Sequence, residues 1–171
     1  MTKRLERFRK EFLQANSWEQ RKDGVPLDLL DNLPVEELKI AEQELIDALS
    51  LRDSWPFRGL GHIKSQRSLP AMYGWLEKSE NGTKVIIAYS IFQISRDEKM
   101  IDIVLEEIPK VSNEFVLIDL LHLLPGFQDS RVQAMLDQFR YDKRYLVAYN
   151  ATMAMGLRTE KVVEAFRNKR K

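Results

Sequence analysis

His62 and His122 are the only imidazoles in this chain, and Asp119 stands three residues before the second. On a helix that spacing puts a carboxylate and an imidazole on one face, the start of a metal site or of an acid–base pair. Neither is completed. A metal needs a third ligand, His62 is sixty residues away, and the chain has no cysteine to supply a thiolate. No phosphate-binding loop, nucleophile elbow or zinc-protease motif occurs in the sequence. The residues therefore predict no catalysis, no metal and no cofactor. They do predict recognition. Arg58, Tyr89, Asp119 and Asn150 recur at nearly even intervals, with His62, Gln93 and His122 close to them in sequence. Such a set offers charge of both signs, two imidazoles and an aromatic ring to a partner.

The even spacing comes from a repeat. Four segments align: RDSWPFRGLGHI from Arg52, TKVIIAYSIFQI from Thr83, NEFVLIDLLHLL from Asn113 and RYLVAYNATMAM from Arg144, at separations of 31, 30 and 31 residues. The fifth position holds Pro56, Ile87, Leu117 and Ala148, and the eighth holds Gly59, Ser90, Leu120 and Ala151. The ninth holds Leu60, Ile91, Leu121 and Thr152, and the twelfth Ile63, Ile94, Leu124 and Met155. Positions 1, 5, 8, 9 and 12 follow helical spacing, so these side chains share one face. The seventh position holds Arg58, Tyr89, Asp119 and Asn150, and it points away from that face.

A second helical family runs between these segments. Leu69, Met72 and Leu76 recur as Ile101, Val104 and Ile108, then as Val132, Met135 and Phe139. Val162 and Phe166 begin another copy, and Leu38, Ala41 and Leu45 stand one period upstream of the first. Inner helices near 52–63, 83–94, 113–124 and 144–155 thus alternate with outer ones. Ser65, Asn81, Asn113 and Thr159 are placed to cap them. Pro56 and Pro70 fall early in their helices, where a missing N–H costs little. Gly59 and Gly61 fall where neighbouring helices approach. Residues 1–34 stand apart: Leu5, Phe8 and Phe12 define a short amphipathic helix, and DLLDNLP a further helical turn. This region reads as an N-terminal helical cap covering the apolar end of the stack, with a detachable arm as the alternative.

Composition bounds the class. Of 171 residues 44% are hydrophobic and 31% charged, with a net charge of +1. That is a globular balance, and the absence of cysteine suits a reducing compartment. The charged N-terminus MTKRLERFRKEF does not read as a signal peptide, and no apolar run approaches membrane-spanning length. The expected address is the cytoplasm, with no membrane contact. Charge is uneven: residues 96–130 carry three Lys/Arg against eight Asp/Glu, a balance of −5, and 131–171 carry ten against four, a balance of +6. The closing RNKRK reads as a solvated basic helix end.

Gly59-Leu60-Gly61, the polar turn after it and the outer helix opening Leu69-Pro70-Ala71 resemble the bacterial HEAT-repeat proteins with short units. The likeness covers about residues 35–171 and is most specific in the first unit; the third has Leu120-Leu121-His122 in place of the triplet. Armadillo units are an alternative, although this period has no room for their third short helix. The resemblance implies an all-α, right-handed α-solenoid of about four helix pairs, with inner helices lining a concave binding surface. Enzymes sharing this repeat are separable by residue type. The deoxyhypusine hydroxylases carry His-Glu pairs for iron, and no His-Glu dipeptide exists in this chain. No bilin lyase signature is found. The HEAT-like DNA glycosylases need a basic aromatic channel, for which Trp18, Trp55 and Trp75 are the aromatic candidates.

The expected function is a non-enzymatic scaffold or interaction module. A protein or peptide partner is held by a stripe of Arg58, His62, Tyr89, Gln93, Asp119, His122 and Asn150. The alternative is a nucleic-acid-binding, glycosylase-like protein. It requires Arg131, Arg140, Lys143 and Arg144 to line the concave face together with Lys84 and Arg58.

Overall fold

The computed structural model describes residues 2–168, and among these the chain forms twelve α-helices with short 3₁₀ and π turns and no strand. Packing divides it into two compact units, Met1–Ser79 with Ser90–Arg96, and Glu80–Tyr89 with Asp97–Lys171. The last three residues of the basic tail, 169–171, lie outside the described residues.

In the first unit α1 (Lys3–Phe8) runs into a π turn, Arg9–Leu13, followed by α2 (Trp18–Arg21), α3 (Asp28–Asp31), α4 (Val35–Asp47), α5 (Trp55–His62) and α6 (Leu69–Lys78). Leu5, Phe8 and Phe12 are buried, as their shared face requires. The Phe12 ring lies 5.7 Å from Trp55, edge to face, and Arg21 stacks 4.0 Å over the same indole while pairing with Asp53 at 2.6 Å. Thr2 donates to Glu37 from both its backbone N–H and its hydroxyl, each at 2.6 Å, and Arg9 pairs with Glu44. The N-terminal segment is therefore joined to α4 and α5 by ring contacts and ion pairs.

α7 (Asn81–Ser95) passes from the second unit into the first. The second unit continues with α8 (Lys99–Glu107), α9 (Glu114–Leu121), a 3₁₀ turn at Leu124–Phe127, α10 (Ser130–Phe139), α11 (Tyr145–Ala154) and α12 (Glu160–Asn168). α9 packs on α11, α10 on both α8 and α11, and α11 on α12.

The fifth, eighth and ninth positions of all four repeat segments are buried. The twelfth divides. Ile94 and Leu124 are buried, whereas Ile63 and Met155 are half-buried because each is the C-cap just past its helix, already in the turn. Those two turns close alike. Lys64 at φ 54° sends its N–H to the Gly61 carbonyl at 3.2 Å, and Ser65 N–H reaches Leu60 at 3.0 Å. Gly156 at φ 69° bonds Met153 at 2.8 Å, and Leu157 bonds Thr152 at 3.1 Å. This is the paired hydrogen-bond pattern that ends helices with a left-handed residue.

Helix starts also follow the sequence in part. Asn113 accepts from Phe115 and Val116 N–H, and Ser65 from Ser68 N–H. Asn81 does not cap with its side chain: it sits at φ 51°, and its N–H donates to the buried Glu107 carboxylate at 3.1 Å. Asp129 is a cap that the hydrophobic spacing does not announce, accepting from Arg131 and Val132 N–H at the start of α10.

Close approach explains the glycines of α5. A Cβ on Gly59 would meet Phe12 at 3.0 Å and Leu45 at 3.1 Å; on Gly61 it would meet Gln93 Oε1 at 2.7 Å and the Ser90 Cα at 3.0 Å. Gly74 on α6 has nothing within 4 Å of its virtual Cβ. Gly61→Ala is therefore expected to cost about 1–3 kcal/mol by overpacking, since backbone cannot move aside cheaply. Gly74→Ala is expected to gain about 0.5–1 kcal/mol from helix propensity. Urea unfolding checks both, and like signs for the two would refute the close approach.

Hydrogen bonds from the Thr2 hydroxyl and then from its N–H hold the Glu37 carboxyl below its ordinary value of 4.5. A depressed folded-state value adds stability above the unfolded one and loses it as pH falls through the folded one. Glu37→Gln should thus be less stable than wild type at neutral pH, with the difference shrinking below about pH 4.5. Thermal unfolding across that range measures it; a gap that stays constant with pH would remove Glu37 from the acid response.

Candidate functional site

α9 and α11 each turn one face to their packing partner and one outward. Leu117, Leu120 and Leu121 are buried on α9, and Val147, Ala148, Ala151 and Thr152 on α11. With those sides committed, helical spacing leaves Phe115, Asp119 and His122 together on one helix and Leu146, Asn150 and Met153 on the other. Phe115 is 71% exposed, Met153 48% and Leu146 40%, and both Asp119 and His122 are exposed.

A polar bond ties the two helices. Asn150 Nδ2 donates to the Leu146 carbonyl at 2.8 Å, which leaves Oδ1 to accept from His122 Nε2 at 3.0 Å. The imidazole proton is thereby assigned to Nε2. Around this pair lie the three exposed apolar side chains. The arrangement can bury apolar groups of a partner beside an oriented polar pair. Among the described residues no three His, Asp or Glu side chains gather to hold a metal ion.

The other seventh-position residues have different surroundings. Tyr89 belongs to the second unit, where it is half-buried with its ring 5.4 Å from Phe127, edge to face. Gly126 makes room for it, because a Cβ there would meet the Tyr89 hydroxyl at 2.7 Å. Hydrophobic spacing had set Tyr89 outside the core, and the 3₁₀ turn that folds back over it was not legible from periodicity. In the first unit Arg58 and His62 are one turn apart on α5 and both half-buried. His62 Nε2 meets Asp31 at 2.7 Å, and Gln93 lies over the Gly61 backbone. In the second unit His122 bonds Asn150 rather than forming the Asp119 pair that spacing suggested.

Three arginines of the C-terminal segment lie against carboxylates. Arg131 bonds Asp102 at 2.9 Å and also Asp129, Arg140 bonds Asp137, and Arg144 bonds Asp142 at 2.8 Å. The Arg144 hydrogen bond, ahead of other causes, holds the Asp142 carboxyl below its usual range and outweighs the effect of burial. Trp55 is buried and Trp75 half-buried, while Trp18 is 75% exposed on α2. No helix among the described residues is long and apolar enough to cross a membrane. Comparison with protein-family models, with curated proteins and with solved structures finds no match to this chain.

Tyr89→Ala is expected to lose about 1–3 kcal/mol of stability through the cavity and the lost ring contact. Phe115→Ala should stay within about 0.5 kcal/mol of wild type, being mostly solvated. Chemical denaturation of the two variants separates packing from surface, and equal losses would show that the exposed face is misassigned.

Proposed function

We propose that this chain is a non-enzymatic interaction module of the HEAT-like solenoid type, holding a protein or peptide partner on its inner-helix surface in the cytoplasm. The observation that carries the reading is the outward face of α9 and α11. There Phe115, Leu146 and Met153 remain exposed around a preformed His122–Asn150 bond. Large apolar groups beside oriented polar ones are the composition of interface cores, where aromatic and Met side chains are enriched. Asp119 would select a basic group of the partner. In the first unit Arg58, near His62 and Gln93, would take a carboxylate through its planar guanidinium.

The repeat supports the fold half of this reading. Four helices bury equivalent positions, and two of them end in the same left-handed turn. The local pairing of Arg131, Arg140 and Arg144 supports a protein partner over a nucleic acid. A phosphate-binding strip needs cations that exchange counterions for phosphates, and these guanidiniums already lie against carboxylates.

The test uses the intact chain as bait in lysate of its own cell, beside a variant carrying Phe115→Ser, Leu146→Ser and Met153→Ser. A partner enriched by the wild type should fall at least about tenfold with the variant, while thermal unfolding stays unchanged. Equal recovery by both baits would refute the face, and tight lesion- or sequence-dependent DNA binding would refute the reading as a whole.

A further inference from the structure

α12 is the amphipathic helix of the second unit that completes no burial. Its nine residues include Val162, Val163 and Phe166, all half-buried, and none of the nine is fully buried. By contrast α8, α9, α10 and α11 each sink two or more side chains. α12 meets α11 through Tyr145, whose ring lies 5.4 Å from Phe166 at 65°. Beside that contact Tyr145, Val163, Phe166 and Arg167 line an open cleft of about 260 Å³. An apolar surface of this kind remains wet unless something covers it.

The charges on α12 say what covers it. Glu160, Val163 and Arg167 stand at i, i+3 and i+7, so they form one stripe: acid, apolar, base. Turned end for end, this stripe matches itself. A two-fold axis beside Val163 puts Glu160 of one copy against Arg167 of the other at both ends of the contact. Antiparallel helices also set opposite dipole ends together. An interface related by two-fold symmetry must be complementary to itself, and this stripe satisfies that condition.

We propose that a second copy of this chain covers the cleft, forming a two-fold dimer in which α12 packs antiparallel on its symmetry mate, Val163 near Val163 and Glu160 paired with Arg167. The Glu160 carboxylate already accepts from Arg158 at 3.0 Å, but Arg158 is a solvated side chain, 90% exposed. A carboxylate has lone pairs for a second donor, so both contacts are compatible.

Sedimentation velocity on the full chain over rising concentration should show a reversible monomer–dimer equilibrium. Arg167→Glu and Glu160→Arg should each raise the dimer dissociation constant at least about tenfold, because each sets like charges together at two symmetric places. The double variant should restore wild-type association. The chain's lack of cysteine permits a second readout. Val163→Cys should form a disulfide-linked dimer under mild oxidation much faster than Phe115→Cys. A monomeric mass at every concentration, single reversals without effect, an unrestored double variant or equal crosslinking at the two cysteine positions would each overturn the proposal.

Discussion

A helix of eight residues has too few internal hydrogen bonds to persist alone, since isolated helices shorter than about 12–15 residues are marginal in water. α5 and α9 have eight residues, and α6, α10 and α11 have ten. Each of these elements depends on burying one apolar stripe against a neighbour. That constraint explains why buried positions repeat so strictly while exposed positions drift in chemical type. It also explains the small side chains at the eighth position: Gly59, Ser90 and Ala151 allow closer approach, and short helices need every contact that approach brings.

Helix ends carry the second constraint. With so many short helices, much of the backbone lies within a turn of a terminus, where hydrogen bonds have no partner inside the helix. Lys64 and Gly156 meet this by turning left-handed, and Asn113 and Asp129 meet it with side-chain oxygens. Lys64, Arg96 and Gln128 adopt positive φ without being glycine, a cost of about 1–2 kcal/mol each. Closing the turn between consecutive helices outweighs it.

Charge is organised over the same short range. Arg144 with Asp142, Arg140 with Asp137 and Lys110 with Glu106 and Glu107 pair within a few residues. A few pairs reach between segments distant in sequence, Arg9 with Glu44, Arg21 with Asp53 and Arg67 with Glu42 among them, and these tie together elements and turns of the first unit. Beside these pairs, a distinctive outward feature of the second unit is apolar surface around a neutral hydrogen bond, the face of α9 and α11.

Periodicity alone determined the helical class and the buried fifth, eighth and ninth positions, because a 3.6-residue period is a local property of the chain. It also set Phe115, Asp119 and His122 on one face, and Leu146, Asn150 and Met153 on another. Contacts between residues distant in sequence were decided only by the tertiary structure. The 3₁₀ turn at Leu124–Phe127 brings Phe127 against Tyr89, and the packing of α9 on α11 lets His122 reach Asn150 instead of its sequence neighbour Asp119. Asn81, a capping residue by type, became a left-handed one because the Glu107 carboxylate lay ready for its N–H. Spacing states which side chains share a face, but a hydrogen bond forms with whichever group packing brings within about 3 Å.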